Sequence, residues 1–474
     1  MRIDFQTGCA AAKDASPSLR IEEKDVPRTP ITKTWRRAWK AGAPPLFAAI
    51  LFATALSGVG RAQTNPGSDA ADPAAVLTLR DALAISLEQS PRLAAFSYER
   101  RAREADVLQA SRRPNPELSL GVENFGGSGD VQGFDRSELT LALSQTFELG
   151  GKRSARTATA QSHLDVIAWE YEIARAEVLE QTTRAFVDLL AAQQHLTLAD
   201  ELVEVAEEAL ASIARRVEAG ATSAVEQSRA QVELEISRIE RTRIAQMLAT
   251  RRWVLASIWG DDAPRFGEAL GDLESVPEVS SLEDLQHRVS EGPAIVRWSA
   301  ERKRRESELA WQRSQGTPNL SMGAGVRYLR ESEDTALIVE LGLPLPIFDR
   351  NRDAVRAAAL RLDRLDGERS AAVAELQSEV SEAYGALRTA ADEAEALRSR
   401  AIPPAEVAFQ AAREASLRGA MRFTDVLDTE RMLFELRGRY YDALADLHTA
   451  HANLERILGA PILPHASGSE EDPR

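Results

Sequence analysis

Residues 138–153 read Glu138-Leu-Thr-Leu-Ala-Leu-Ser-Gln-Thr-Phe147-Glu-Leu-Gly-Gly-Lys152-Arg153, and two periods meet in them. Leu139, Leu141 and Leu143 alternate with Glu138, Thr140, Ala142 and Ser144, the period of a strand with one apolar and one polar face. Past Gly150 and Gly151 the apolar residues recur every three or four positions instead. Leu164, Ile167, Tyr171, Ala174 and Val178 make one heptad seam. Leu189, Ala192, Leu196, Ala199, Val203, Ala206, Leu210, Ile213 and Val217 make another, out of phase by a four-residue stutter near Ala185. A helix over 152–217 is roughly 100 Å long at 1.5 Å per residue, a reach no ordinary compact domain needs.

The same transition occurs twice. Pro116-Glu-Leu-Ser-Leu-Gly121 matches Pro318-Asn-Leu-Ser-Met-Gly323, and Leu149-Gly-Gly-Lys-Arg153 matches Phe348-Asp-Arg-Asn-Arg352. Asp81 matches Asp284, Pro91 matches Pro293, Gly220 matches Gly419 and Gly260 matches Gly459, all in order and at nearly constant separation. The chain therefore reads as two copies of one unit, at 77–260 and 281–459. Each copy is a short helix, two strands, a very long helix, a turn and a long helix. The strands are expected at about 117–125, 138–147, 319–328 and 335–345. The helices are expected at about 152–217, 223–259, 352–417 and 423–458, with Pro403-Pro404 kinking the third. Residues 63–76 and 261–280 read as linkers, and 460–474 as a disordered tail.

Composition narrows the function. Of 474 residues only one is cysteine, Cys9, which excludes an intrachain disulfide and a cysteine-rich metal site. The net charge of −15 argues against nucleic acid as a partner. Residues 1–62 read as an N-terminal extension followed by an export signal. Lys33, Arg36, Arg37 and Lys40 precede an apolar run from Leu46 to Val59 that is too short to span a bilayer comfortably, and cleavage is expected after Ala62. A retained anchor is the competing reading. No Ser/His/Asp set, zinc-protease motif or phosphate-binding loop is present, so nothing calls for an enzyme, a cofactor or a resident metal. His448 and His451 share a helix face without a third ligand and read as surface residues.

The turns between the long helices carry the chemistry. In Gly419-Ala420-Met421-Arg422-Phe-Thr-Asp425-Val-Leu-Asp428, a glycine that can end one helix precedes two carboxylates on one face of the next. Gly220-Ala221 with Glu226 is the upstream counterpart. Strands with one apolar face need a cover or a lipid. Known single-chain barrels begin at eight strands, so four strands imply pooling between chains, unless they form a small sheet packed on helices.

These residues together resemble the outer-membrane factor family, typified by TolC, over nearly the whole of the chain after the export signal. Residues 147–153 are most similar to the subgroup paired with cobalt–zinc–cadmium pumps. The resemblance implies an α+β membrane protein. In it, a trimeric, 12-stranded β-barrel stands on a long α-helical coiled-coil tunnel. It implies a passive exit duct that works with a periplasmic adaptor (membrane fusion) protein and an inner-membrane RND-type pump, embedded in outer-membrane lipid and reaching into the periplasm of a Gram-negative bacterium. Type I protein secretion and drug efflux use the same kind of duct, and a soluble periplasmic coiled-coil scaffold is the remaining alternative. By the resemblance, Asp425 and Asp428, with Glu226 and Arg422, form the periplasmic gate. Gly220, Ala221, Gly419 and Ala420 form the adaptor-docking tips. Gly150, Gly151, Lys152 and Arg153, with Asp349, Arg350, Asn351 and Arg352, form the junction between barrel and tunnel, the two basic residues of the first set lining the tunnel or meeting its wall. The family latch arginine lies two positions after the tip glycine; Met421 occupies that position here and Arg422 follows it.

Overall fold

The computed structural model describes residues 76–276, 280–418 and 420–462. The export signal, Cys9, most of the first linker, Gly419 and residues 463–474 lie outside the described residues.

In chain order the elements are β1 (Val76–Thr78), α1 (Leu79–Gln89), α2 (Pro91–Ala110), β2 (Glu117–Glu123), β3 (Glu138–Phe147), α3 (Lys152–Glu218) and α4 (Ala224–Ile258). There follow β4 (Glu268–Leu270), α5 (Leu282–Arg288), α6 (Pro293–Gln315), β5 (Leu320–Leu329), β6 (Asp334–Gly342), α7 (Arg352–Ala396), α8 (Ile402–Leu417) and α9 (Phe423–Leu458). Both repeats begin with a polar cap: Thr78 Oγ1 accepts from the Asp81 amide at 3.2 Å, and Ser281 Oγ accepts from the Asp284 amide at 3.2 Å. Each unit then has two helices ahead of its strands, where the sequence pattern suggests one. The division falls at Pro91 and Pro293, each of which occupies the first turn of its second helix.

The strands form one antiparallel sheet in the order β2-β3-β5-β6. Its register brings most apolar positions to one face: Leu120, Leu141, Val326 and Leu337 lie in one row, and Leu118, Leu143, Ala324 and Val339 in the next, while Leu329 and Ile338 lie on the other face. That face is uncovered. Leu337 is 85% exposed and Val339 82%. The opposite face holds Ser119, Thr140, Ser144 and Gly323, with Arg327 bridging Glu138 at 2.9 Å and Glu123 at 3.4 Å.

The helices pack along α3, which touches α2, α4, α6 and α9, while α7 lies against α6 and α9. The alanine-rich seams are buried as their spacing predicts: Ala192, Ala199 and Ala206 on α3, and Ala383, Ala390 and Ala394 on α7. At the stutter, helix α3 is apolar nearly all round. Phe186, Leu189, Leu190 and Ala191 are buried among Leu255, Trp259, Leu273 and Leu444. This belt also takes in a two-stranded parallel sheet of β1 and β4. The segment 261–280 is therefore a structural element as well as a connection, and the first linker ends in a strand. The tail begins later than the composition suggests, because Ile462 is buried with Leu454 and Ile457.

The helix expected over 352–417 is broken. Leu397–Ala401 form a π-helical turn between α7 and α8. Pro403 and Pro404 lack the amides that would bond to the carbonyls of Ser399 and Arg400, and the turn widens just ahead of them. Helix ends also abut. A Cβ on Gly459 would lie 2.2 Å from Pro293 Cδ, and one on Gly260 would lie 2.9 Å from Pro91 Cγ. So α9 runs end to end with α6, and α4 with α2, each contact needing a residue without a side chain.

Candidate functional site

Two helical hairpins, α3/α4 and α8/α9, end in tips with the same backbone plan. At the first tip the Gly220 amide donates to the Val217 carbonyl at 2.9 Å and the Ala221 amide to the Arg216 carbonyl at 2.8 Å, with Gly220 at φ 69°. This is the double bond pattern that closes a helix through a left-handed glycine. At the second tip the Ala420 amide reaches the Ala415 carbonyl at 2.9 Å, the equivalent bond. The returning helices begin after Ser223 and after Arg422, both extended.

The two tips differ in charge. On α4, Glu226 is followed one turn later by Arg229, and the two are paired at 3.3 Å. On α9, Asp425 is followed by Asp428 at the same spacing, so the partner of opposite sign is replaced by a like charge. Arg422 approaches Asp425 at 3.8 Å but is 86% exposed, and such a pair contributes little. Glu226 therefore stands with its own arginine. No hydrogen bond or ion pair joins it to Asp425 or Asp428 among the described residues. Asp428 is exposed and Asp425 half-buried. The second tip thus presents two carboxylates on one face at a helix N-terminus, which the helix dipole favours.

Arginines tie the hairpins to each other. Arg413 of α8 pairs with Glu208 of α3, and Arg431 of α9 pairs with Glu233 of α4. Arg437 of α9 bridges Glu406 at 2.7 Å and Glu201 at 3.2 Å. Beneath them, Phe409, Ala412, Val426 and Leu433 form a small core. Glu430 is buried in the same layer, a residue that the sequence reading passed over. The signal was present: Val426, Glu430 and Leu433 step four and three, so this glutamate sits on the apolar seam of α9.

At the other end, the strand-to-helix junctions repeat. Gly151 at φ 73° precedes α3 and Asn351 at φ 58° precedes α7. The structural equivalence thus pairs Lys152 with Arg352, one residue away from the alignment by sequence. Lys152 is buried, and its Nζ donates to Asn319 Oδ1 at 2.7 Å. Arg153, Asp349, Arg350 and Arg352 are exposed. Arg156, outside the predicted set, holds the junction together. It donates to the carbonyls of Ala110 and Arg112 at 2.9 Å each, pairs with Glu148, and lies 5.9 Å from the Trp311 ring centre. His448 and His451 are half-buried rather than surface residues, and the His448 ring meets the Leu273 carbonyl at 2.9 Å. Among the described residues no cluster of metal-ligating side chains occurs, and no helix is long and apolar enough to cross a membrane.

The chain is 30% identical over 418 residues to the cobalt-zinc-cadmium resistance protein CzcC of Cupriavidus metallidurans, covering 88% of this chain and 98% of that protein. It is 26% identical to the nickel-cobalt-cadmium resistance protein NccC of Alcaligenes xylosoxydans xylosoxydans, over 63% of this chain and 68% of that one. The fold matches the Campylobacter jejuni CmeC outer membrane channel with a TM-score of 0.67 at 16% identity, covering 80% and 85% of the two chains. The model of the outer membrane efflux protein family matches residues 82–261 and 287–460. With both repeats matched, the chain belongs to the outer membrane efflux protein family.

Proposed function

We propose that this chain is one subunit of a homotrimeric exit duct for heavy-metal cations, the outer-membrane part of a tripartite efflux pump. One observation carries the reading: a four-stranded sheet with a mostly apolar, uncovered face and two unpaired edges, β2 and β6. Such a sheet exposes backbone donors and acceptors at both edges and cannot rest alone in water or in lipid. Three copies pairing β6 of one with β2 of the next make a closed 12-stranded barrel, apolar outside and polar within, which is the pattern of a water-filled membrane barrel. The ~100 Å helix α3 then extends the channel as a helical tunnel across the periplasm.

The second tips, carrying Asp425 and Asp428, converge on the axis as the gate, where rings of carboxylate favour cations. Arg422 stands beside Asp425, next to Met421 at the family's latch position. Gly220 with Ala221, and Gly419 with Ala420, form the surface that meets a periplasmic adaptor, which joins the duct to an inner-membrane RND-type pump. The duct performs no chemistry, and the pump supplies the energy. Likeness to CzcC and NccC supports divalent metal cations as the cargo. The test is a gene deletion scored for growth on cobalt, zinc and cadmium, together with planar-bilayer recording of the purified protein. Metal sensitivity and cation-selective pores are expected. A deletion strain with unchanged tolerance of all three metals overturns the cargo, and absence of pores overturns the duct.

A further inference from the structure

Glu430 lies just past Asp428, but it faces inward. It is 3% exposed. It lines a groove of about 400 Å³ between α3, α8 and α9, among Val205, Ile213, Phe409 and Val426. Charged groups surround it on every side: Glu208, Arg215 and Arg216 on α3, Arg413 on α8, Glu233 on α4, and Asp428 and Arg431 on its own helix. Three of the nearby arginines are engaged elsewhere, and Arg215 is exposed. Arg413 pairs with Glu208, Arg431 with Glu233, and Arg216 donates to the Ser416 carbonyl at 3.0 Å. Among the described residues no basic group forms an ion pair with Glu430. Among the described residues no hydrogen bond to its carboxylate is formed either, and burial in the seam disfavours the ionised form.

We propose that Glu430 is a proton-operated lock on the tip. Protonated, it is a neutral seam residue that lets α9 close against α3 and α8. Ionised, it is a buried charge facing the Glu233 carboxylate, and it drives the first turns of α9, with Asp425 and Asp428 on them, out of the seam. The electrostatics give the working range. Burial first, and the Glu233 carboxylate second, push Glu430 up to about 7 from an ordinary value of 4.5, against the opposing pull of Arg431 and Arg413. Because the packed state holds the proton more tightly than the open one, the contribution to tip packing is complete below about 4.5. It falls as pH rises and is lost above about 7. The lock extends the duct reading, on which its consequence for conductance rests.

Amide hydrogen exchange of the purified full-length protein in detergent, corrected for the intrinsic pH dependence of exchange, reads the lock without requiring a pore. Protection over residues 424–433 is expected to fall about tenfold between pH 6 and pH 8 in the wild type. It is expected to stay high at both pH values in Glu430→Gln and in Glu430→Leu. In Glu233→Gln the midpoint is expected to move to lower pH, because the repelling carboxylate is gone and Arg431 is released. A flat wild-type profile, or a step that survives in Glu430→Gln, overturns the proposal. Bilayer recording then separates the two readings. A conductance step with the same midpoint, absent from Glu430→Gln, supports both. An exchange step in a protein that forms no pore supports the lock and overturns the duct.

Discussion

At the residue scale, position along the hairpin decides what a charge does. Glu226 and Asp425 occupy equivalent places at the starts of α4 and α9, yet the residue one turn later is Arg229 in one and Asp428 in the other. The first tip neutralises itself and the second does not. Replacing Asp425 and Asp428 together by Ala is expected to raise single-channel conductance and reduce preference for cations, measured by reversal potential in asymmetric salt. The matching change Glu226→Ala is expected to leave both nearly unchanged. If the two variants behave alike, the assignment of the gate to α9 is wrong. Gly459 shows a constraint of a different kind. Its φ is 68° and an added Cβ would meet Pro293. Gly459→Val is expected to lower stability by about 2 kcal/mol or more through strain and overpacking, read as a lower midpoint of thermal unfolding. Leu360→Val, at an exposed position on α7, is the matching control and is expected to change that midpoint little.

At the element scale, the sheet and the broken helix each carry a testable claim. The apolar face of β6 is more exposed than that of any other strand of the sheet, and in the proposed barrel it meets lipid. Val339→Asp leaves the strand register unaltered but places a charge on that face. A charge on the lipid face of a barrel costs up to a few kcal/mol, depending on depth. The expected outcome is loss of outer-membrane insertion, checked by fractionation, while Ser119→Asp on the opposite face inserts normally. In the α7–α8 helix, the π turn at Leu397–Ala401 coincides with the contact of Leu397 with the central belt. Replacing Pro403 and Pro404 by Ala restores two amides to the ladder. It is expected to slow hydrogen exchange over residues 397–404 and to shift the phase of α8 relative to α9. Unaltered exchange there would assign the π turn to packing in the belt rather than to the prolines.

At the scale of the whole molecule, the two repeats build one body from stacked half-length helices. Helix α4 continues into α2 and α9 into α6, while α3 and the α7–α8 pair run the full distance from sheet to tip. The central belt, in which β1 pairs with β4, joins the start of the first repeat to the segment between repeats. A single chain assembled in this way leaves its sheet edges open, and in the proposed barrel copies of itself satisfy them. Detergent-extracted protein is therefore expected to run as a trimer by mass measurement, and a stable monomer would count against the barrel.

Much of this was legible in the residues because it depends on local period. The two-residue alternation of 138–147 and the heptad seams of 164–217 and 373–401 reflect which side of a backbone is dry, and backbone geometry imposes that period wherever the element lies. The duplication was legible for the same reason, since equal elements need equal turns: Gly220, Gly260 and Gly459 stand at helix ends with positive φ. Three-residue strands such as β1 and β4 have no period to read; only their meeting across the belt defines them. The buried state of Lys152, the acids taken by the tip arginines and the lack of an ion pair at Glu430 among the described residues were likewise settled by tertiary structure. Whether a charge is solvated, paired or stranded depends on neighbours brought from distant parts of the chain, and no local pattern encodes that.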